Sequence, residues 1–376
     1  MNAPATTTVS VLTPPGRGAV AVVRVAGPLA LAAVDSALHR PDGRRLAVFP
    51  LGRVIFGHWA TAAGEEVVVC RRSEDTIEVH CHGGAAAVEA VVARLTEGGC
   101  SRVSWQASIR KGSPDPLCSA AEIALAAAPT ARTAAILLDQ FDGALRRALD
   151  QISAAAVERD WDRAIATLDS MLRHAKLGLH LTQPWRVVIA GRPNVGKSSL
   201  LNALVGFERA IVYDMPGTTR DVVTANTAID GWPVLLADTA GLRDASDAIE
   251  AAGVARANAA VSGADLVLLV DDLLGAGEME LETEAPVLRV LNKMDLHLQL
   301  SPQDRQRFDA CVSATRNQGT GELWAAIGRA LVPSPPGAGE AVPFTQEHIA
   351  ALEAARDAAQ QRDLPALQRC LQPFLA

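Results

Sequence analysis

The stretch GRPNVGKS at residues 191–198 decides the fold of this chain. It fits the pattern G-x-x-x-x-G-K-[ST] and lies between the apolar run WRVVIAG and the helical run SLLNALVG. In such a loop, backbone N–H groups and the following helix N-terminus hold phosphates, while the lysine contacts the β and γ oxygens and the hydroxyl binds Mg²⁺. We predict a catalytic role for Lys197 and a Mg²⁺ ligand in Ser198. The predicted phosphate-binding residues are Asn194, Val195, Gly196, Lys197, Ser198 and Ser199.

Two further motifs, in the expected order, indicate that the nucleotide carries guanine. DTAG at 238–241 ends the apolar run VLLAD, so Asp238 can reach Mg²⁺ and Gly241 can donate its N–H to the γ-phosphate. DTAG alone could be an ordinary turn. NKMD at 292–295 ends the run VLRVLN, where the Asp295 carboxylate can accept two hydrogen bonds from guanine. Adenine lacks that pair of donors, and a buried polar group left unpaired costs binding energy. The other predicted base-contact residues are Asn292, Lys293, Ser313 and Ala314.

A switch segment is predicted between these motifs, at DMPGTTRD (214–221). A switch of this kind supplies a hydroxyl to Mg²⁺ and thereby senses the γ-phosphate. Thr219 is the candidate for this Mg²⁺ ligand and catalytic residue, with Thr218 beside it, although a plain Gly-Thr turn is the alternative. Leu242 follows DTAG where many GTPases place a glutamine that orients the attacking water. Another group must therefore organise that water.

The remaining sequence predicts a multidomain protein. Short β-rich runs from residue 8 to about 105, with two helical runs of which the first begins at Pro28, indicate an α+β domain. Apolar positions recur at helical spacing over 119–180, and a proline- and glycine-rich linker at 332–343 precedes a last helix from Thr345. We predict an N-terminal α+β domain (1–115), the first part of a helical domain (116–180), an inserted α/β P-loop GTPase domain (181–333), and a linker with the C-terminal helical part (334–376).

Composition limits the partners and the compartment. A net charge of -7 over 376 residues is not the basic footprint of a nucleic-acid-binding surface, so any tRNA contact is expected to be indirect or local. The six cysteines are scattered, which is typical of reduced thiols in a cytoplasmic protein. The N-terminus lacks the pattern of a secretory signal, and the longest apolar stretch (19–34) contains Arg24. We expect a cytoplasmic protein without a membrane span.

The motifs together resemble the MnmE (TrmE) family of tRNA-modification GTPases. GRPNVGKSSLLNAL, GTTRD, DTAGLR and NKMD lie in the predicted GTPase domain, while TPPGRGAVAVVRVAG (13–27) and DTIEVHCHGG (75–84) lie outside it and make the match specific. The resemblance extends over most of the chain. It implies a folate-binding-like N-terminal domain, a helical domain interrupted by the GTPase domain, and a homodimer. It also implies a partner, the FAD-dependent protein MnmG, with which the family modifies the wobble uridine of tRNA.

The resemblance assigns further roles to individual residues. In the family a K⁺ ion takes the place of an arginine finger, and the matching positions are Asn194, Tyr213, Met215 and Thr218. Neutralising the charge that develops in phosphoryl transfer is the physical reason for such an ion. The water-organising glutamate of the family matches Glu250, which would be catalytic. The alternatives are a plain loop residue for Asn194 and a solvated acid near a helix start for Glu250.

In the N-terminal domain, the family's contacts with its one-carbon folate, 5-formyltetrahydrofolate, map onto Arg24 and Glu78. These two residues could equally form an ion pair on a strand surface. The neighbouring residues His80, Cys81 and His82 are predicted to end a strand rather than to bind a metal, because no further ligands cluster near them.

The chain also departs from the family. SRVSWQASIRKGSPDPL (101–117) stands where the family has GEFTxRAFxNGKxDL with a folate-contacting lysine, and the sequence ends in PFLA rather than in a Cys-Ile-Gly-Lys tail. Cys370 is near that end but in a different setting. Only residues 273–286 connect two predicted strands, which is short for a crossover helix. A 5-formyltetrahydrofolate site is therefore doubtful. The second hypothesis is a regulatory GTPase, ribosome- or stress-related, that has lost the modification chemistry.

Overall fold

The computed structural model describes residues 6–16, 18–113, 115–207, 224–238, 261–272, 282–296 and 301–375. The chain divides into two compact units, residues 1–119 and 120–376. The predicted residue bounds of the finer division, 116–180, 181–333 and 334–376, stay a prediction. No helix in the described ranges is long and apolar enough to cross a bilayer.

The first unit is a seven-stranded sheet with helices, which confirms the predicted α+β class. Alternation along the strands places Val23 and Val25 in the core and Arg24 on the opposite face. The strand order is β3-β4-β5-β6-β2-β1-β7. The strands are β1 (Thr8–Val11), β2 (Val20–Ala26), β3 (Leu38–His39), β4 (Val54–Trp59), β5 (Glu66–Arg71), β6 (Thr76–His82) and β7 (Ser101–Arg102). The helices are α1 (Ala30–Ala37), α2 (Ala85–Glu97) and α3 (Trp105–Gly112).

The first helix begins later than the sequence predicted. It starts at Ala30 rather than at Pro28, and Leu29 occupies the position before it. The Leu29 N–H donates to the Thr7 hydroxyl, 2.9 Å away, and Gly27 adopts φ +131°. This turn against β1 takes up the residues that would otherwise form the first helical turn.

Helices from two distant parts of the chain pack together in the second unit. Helices α6 (Ala144–Val157) and α7 (Trp161–Leu172) contact the C-terminal helices α12 (Gln346–Gln360) and α13 (Leu364–Leu375), although the α/β residues lie between them in sequence. The GTPase region is thus inserted into a helical bundle, as predicted, but the C-terminal part has two helices rather than one. The helices are α4 (Pro116–Leu125), α5 (Ala131–Phe141), α6 (Ala144–Val157), α7 (Trp161–Leu172), α8 (Ala175–Leu179), α12 (Gln346–Gln360) and α13 (Leu364–Leu375).

A six-stranded sheet forms the α/β part, in the order β13-β12-β11-β8-β10-β9. All neighbouring pairs are parallel except β9 with β10. Because the parallel strands end at one edge, the residues that follow β8, β10 and β12 meet there. The strands are β8 (Trp185–Gly191), β9 (Thr224–Ile229), β10 (Trp232–Asp238), β11 (Leu266–Asp271), β12 (Val287–Leu291) and β13 (Ala310–Cys311). The helices are α9 (Lys197–Phe207), α10 (Pro302–Arg305) and α11 (Thr320–Leu331).

The turn between β9 and β10 is anchored to the start of α5. Thr130 caps α5 and also donates its hydroxyl to the Gly231 carbonyl, 2.6 Å away. Arg132 pairs with the Asp230 carboxylate at 2.6 Å, and its guanidinium lies 4.2 Å from the centre of the Trp232 ring. The hairpin tip is therefore fixed to the helical bundle by hydrogen bonds, an ion pair and a cation–π contact.

The proline-rich segment 332–343 is docked rather than extended away from the protein. Gln140 donates to the Glu340 carbonyl at 3.0 Å and accepts from the Val342 N–H at 3.1 Å. The Glu340 carboxylate accepts from the Gly337 N–H and contacts the His174 ring, and these contacts lower the pKa of Glu340. Composition predicted a linker here, but buried hydrogen bonds determine its path.

Candidate nucleotide-binding site

The loop after β8 has the backbone shape of a phosphate cradle. Asn194 and Gly196 adopt left-handed conformations, with φ +67° and +91°. A β-carbon on Gly196 would lie only 2.4 Å from the Asn292 amide nitrogen, so glycine is required on packing grounds as well. Successive turns of this type present main-chain N–H groups to an anion. The loop then enters α9 directly at Lys197.

The side chains at the head of α9 bring a cation and hard oxygen ligands together. Lys197 is 8% exposed, and its ammonium donates to the carbonyls of Gly191 and Arg192 at 2.9 and 2.8 Å. The Ser198 hydroxyl donates to the Asp238 carboxylate at 2.6 Å, and Asp238 is 2% exposed. A hydroxyl beside a buried carboxylate is the oxygen donor set that Mg²⁺ prefers. These residues fit a Mg²⁺–phosphate site.

The NKMD segment is tied to the phosphate loop by two of its side chains. Asn292 is 2% exposed; its amide nitrogen donates to the Val195 carbonyl at 2.9 Å and its amide oxygen accepts from the Ala314 N–H at 3.2 Å. Lys293 donates to the Asn194 carbonyl at 2.6 Å and pairs with Asp272 at 2.8 Å. Four separate segments of the chain are thereby held in one arrangement.

The Asp295 carboxylate, which is predicted to recognise the base, lies where NKMD meets the loop after β13. The Met294 N–H donates to the Val312 carbonyl at 3.0 Å, and Ser313 forms an antiparallel bridge with Gln318. Asp295 keeps 11% of its side chain exposed, and its carboxylate lies 3.3 Å from the Arg316 guanidinium. The predicted residues Asp295, Ser313 and Ala314 therefore lie together.

Sequence reasoning missed two contacts at this site. Asp272, the second of two consecutive acids at the end of β11, fixes Lys293, and Arg316 reaches Asp295. A carboxylate at the end of a parallel strand was a usable signal for Asp272. No pattern in the sequence distinguishes Arg316 from any other exposed arginine.

Several predicted residues cannot be located in this arrangement. Of the phosphate-loop residues, Val195 is buried while Asn194 and Ser199 are exposed. The predicted residues that lie outside the described ranges are Tyr213, Met215, Thr218, Thr219, Gly241 and Glu250.

The N-terminal candidates Arg24 and Glu78 form a cross-strand ion pair. Their positions face each other on β2 and β6, and the two side chains are 3.0 Å apart. Arg72 and His80 also approach the Glu78 carboxylate, at 3.7 and 3.9 Å. The ion pair predicted as the alternative is thus present in the structure. Arg24 Nε is buried and has no hydrogen-bond partner in the described residues, which leaves one donor for a polar ligand.

The neighbouring residues His80, Cys81 and His82 end β6, as predicted. Burial raises the pKa of the Cys81 thiol, which disfavours the thiolate that a metal would need. The described residues contain no cluster of three or more potential metal ligands.

Comparison with known proteins gives matches to both parts of the chain. A family model described as "GTP-binding protein TrmE N-terminus" matches residues 7–106, and one described as "50S ribosome-binding GTPase" matches residues 186–299. A "tRNA modification GTPase MnmE" of Synechococcus sp. is 35% identical, over 82% of this chain and 76% of that protein. The protein of the same name from Moorella thermoacetica is 32% identical, over 93% of this chain and 88% of the relative.

Proposed function

Since this chain belongs to the MnmE family of tRNA modification GTPases, we propose that its hydrolysis of GTP serves the modification of the wobble uridine in tRNA. The chain is a GTP-hydrolysing enzyme by that membership and by its GTPase domain. The observation that best supports a productive site is the pair of ties from Asn292 and Lys293 to the phosphate loop. They couple base recognition to phosphate binding.

In this proposal the phosphates of GTP lie against the N–H groups of residues 194–198 and the N-terminus of α9, where the helix dipole favours negative charge. Lys197 turns from the loop carbonyls to the β and γ oxygens. The Asp295 carboxylate accepts hydrogen bonds from the N1–H and the 2-amino group of guanine. Because the Asp295 side chain is only 11% exposed, a base without those donors would lose two hydrogen bonds that water cannot fully replace. Asn292, Lys293, Ser313 and Ala314 frame the base.

Mg²⁺ fits the oxygen pair of Ser198 and Asp238, with Thr219 as the third proposed ligand. When bound, it would neutralise charge on the phosphates. For K⁺ we propose Asn194, Tyr213, Met215 and Thr218. The exposed side chain of Asn194, in the phosphate loop, supports that part of the proposal. Glu250 is the proposed residue that orients the attacking water, since Leu242 cannot.

We propose a homodimer that works with an MnmG-like FAD protein in the cytoplasm and contacts tRNA indirectly or locally. The six free cysteines support the compartment. For 5-formyltetrahydrofolate, the free Nε of Arg24 supports binding, but the Arg24–Glu78 pair would have to be shared with the ligand. We therefore propose weak folate binding at most.

A regulatory GTPase without modification chemistry is the second candidate, and one feature favours it. The segment 101–117 departs from the family pattern, and its Lys111 donates to the Thr6 carbonyl at 2.8 Å. Lys111 would have to share or give up this contact to neutralise an acidic ligand.

Mass spectrometry of tRNA nucleosides from a strain that lacks its own family member, and that expresses this chain, separates the two candidates. Restored wobble modification together with capture of the flavoprotein supports the first. GTP hydrolysis without either result supports the second. The guanine assignment is tested separately: Asp295→Asn should weaken GDP binding and favour xanthine nucleotides, because the amide presents a donor where guanine also donates. Retained preference for GDP would contradict it.

A further inference from the structure

The loop at residues 313–318 places the Arg316 guanidinium against the carboxylate of Asp295, the proposed guanine contact. The Ser313 N–H donates to Gln318 and the Gln318 N–H donates back, at 2.9 and 3.1 Å, while the Arg316 N–H donates to the Ser313 carbonyl at 3.2 Å. This closed turn fixes the backbone of Arg316, whose Nε lies 3.3 Å from Asp295 Oδ2. Backbone hydrogen bonds therefore fix the position from which the Arg316 side chain extends toward Asp295.

The Asp295 carboxylate can in principle accept hydrogen bonds from Arg316 and from guanine at the same time. An ionised carboxylate has about four acceptor sites on its two oxygens, and guanine needs only one site on each. The Arg316 guanidinium approaches one of these oxygens, Oδ2, through its Nε. Arginine keeps its charge at every physiological pH and holds its donors in one plane. It can therefore hold the plane of the carboxylate while the base binds.

We propose that Arg316 is a positioning residue for guanine, which holds the Asp295 carboxylate so that both of its oxygens accept from the base. This inference rests on the proposed guanine contact of Asp295. It assigns to Arg316 the discrimination between guanine and hypoxanthine, the base that has N1–H but lacks the 2-amino group.

The expected signature follows from that difference. A carboxylate that is no longer held can rotate and keep one good hydrogen bond to N1–H, but it loses the alignment needed for the second. Removing the Arg316 side chain therefore weakens the binding of GDP more than the binding of IDP. Arg316 is 62% exposed, and exposed pairs contribute roughly 0.2–1 kcal/mol, so the GDP/IDP selectivity ratio should fall about 1.5- to 5-fold. The effect should shrink at about 1 M salt, where the screening length is about 3 Å.

The experiment measures the affinities of the full chain for GDP and IDP by titration, in wild type, Arg316→Ala and Arg316→Lys. Arg329→Ala is the matched control, since Arg329 is an exposed arginine on α11. A lower GDP/IDP ratio in Arg316→Ala, with partial recovery in Arg316→Lys and no change in Arg329→Ala, supports the proposal. Equal loss for both nucleotides, no loss, or a gain in GDP affinity overturns it.

Asp295→Asn distinguishes failure of this proposal from failure of the proposed function. If that variant turns to xanthine nucleotides while Arg316→Ala leaves the selectivity ratio unchanged, the guanine contact stands and the role of Arg316 is wrong. If Asp295→Asn keeps its preference for GDP, the guanine contact itself is wrong. In the double variant the effect of Arg316→Ala should disappear, because the charge on residue 295 is gone.

Discussion

Replacing Asn292 with alanine should both destabilise the second unit and weaken nucleotide binding. The side chain is 2% exposed and makes hydrogen bonds at 2.9 Å to the Val195 carbonyl and at 3.2 Å from the Ala314 N–H. Each buried partner left unpaired costs about 1–3 kcal/mol. Since the Val195 carbonyl has a second acceptor site that another donor can use, we expect the two lost hydrogen bonds to lower the free energy of unfolding by about 2–4 kcal/mol in total.

Urea unfolding followed by tryptophan fluorescence measures the stability, and titration with fluorescent GDP measures the affinity. In Asn292→Ala the phosphate loop and the loop after β13 are no longer joined through residue 292. GDP affinity should therefore fall at least about tenfold, equivalent to 1.4 kcal/mol. Asn202→Ala is the control, because Asn202 is exposed on α9. A free energy of unfolding within about 0.5 kcal/mol of wild type for Asn292→Ala, the range of ordinary surface changes, would refute the reasoning.

Three further predictions concern hydrolysis and pH. Hydrolysis should be faster in K⁺ than in Na⁺ at equal ionic strength if Asn194 helps to hold K⁺, and equal rates would argue against that ion. Glu250→Ala should lower kcat with little change in GTP affinity, because the proposed role exists only during hydrolysis; a parallel loss of affinity would reassign the residue. Burial lowers the pKa of His348 from 6.5 to about 4, against the smaller opposing effect of Glu347. The unfolded chain therefore binds the proton first, so stability should fall as pH drops from 6.5 toward about 4, and His348→Gln should flatten that slope in unfolding measurements.

The parallel strands and the phosphate loop could be predicted because their residue patterns are local. The strands β8, β10 and β11 are largely buried on both faces and appear as apolar runs. In β12 (VLRVL) only the last two residues are buried. The strand β9, with the sequence TANTAI, lacks such a run. Its pairing with β10, and not its composition, makes it a strand.

The contacts that sequence could not supply depend on residues distant in the chain. Arg316 becomes a functional candidate only when the turn at 313–318 lies beside NKMD, and the segment 332–343 acquires its path only from Gln140 and His174. Motifs thus predict the phosphate and base residues, whereas the groups that contact them are visible only in the tertiary structure.

The anchored turn between β9 and β10 has a mechanical consequence. Thr130 and Arg132 hold the tip of this hairpin against α5. Its other end, at Thr224 and Asp238, reaches the edge of the sheet where the nucleotide-binding residues lie. Because the tip is held, the hairpin cannot rotate as a rigid body when its end at Thr224 and Asp238 is displaced. A displacement at that end would therefore bend the strands or be transmitted to α5.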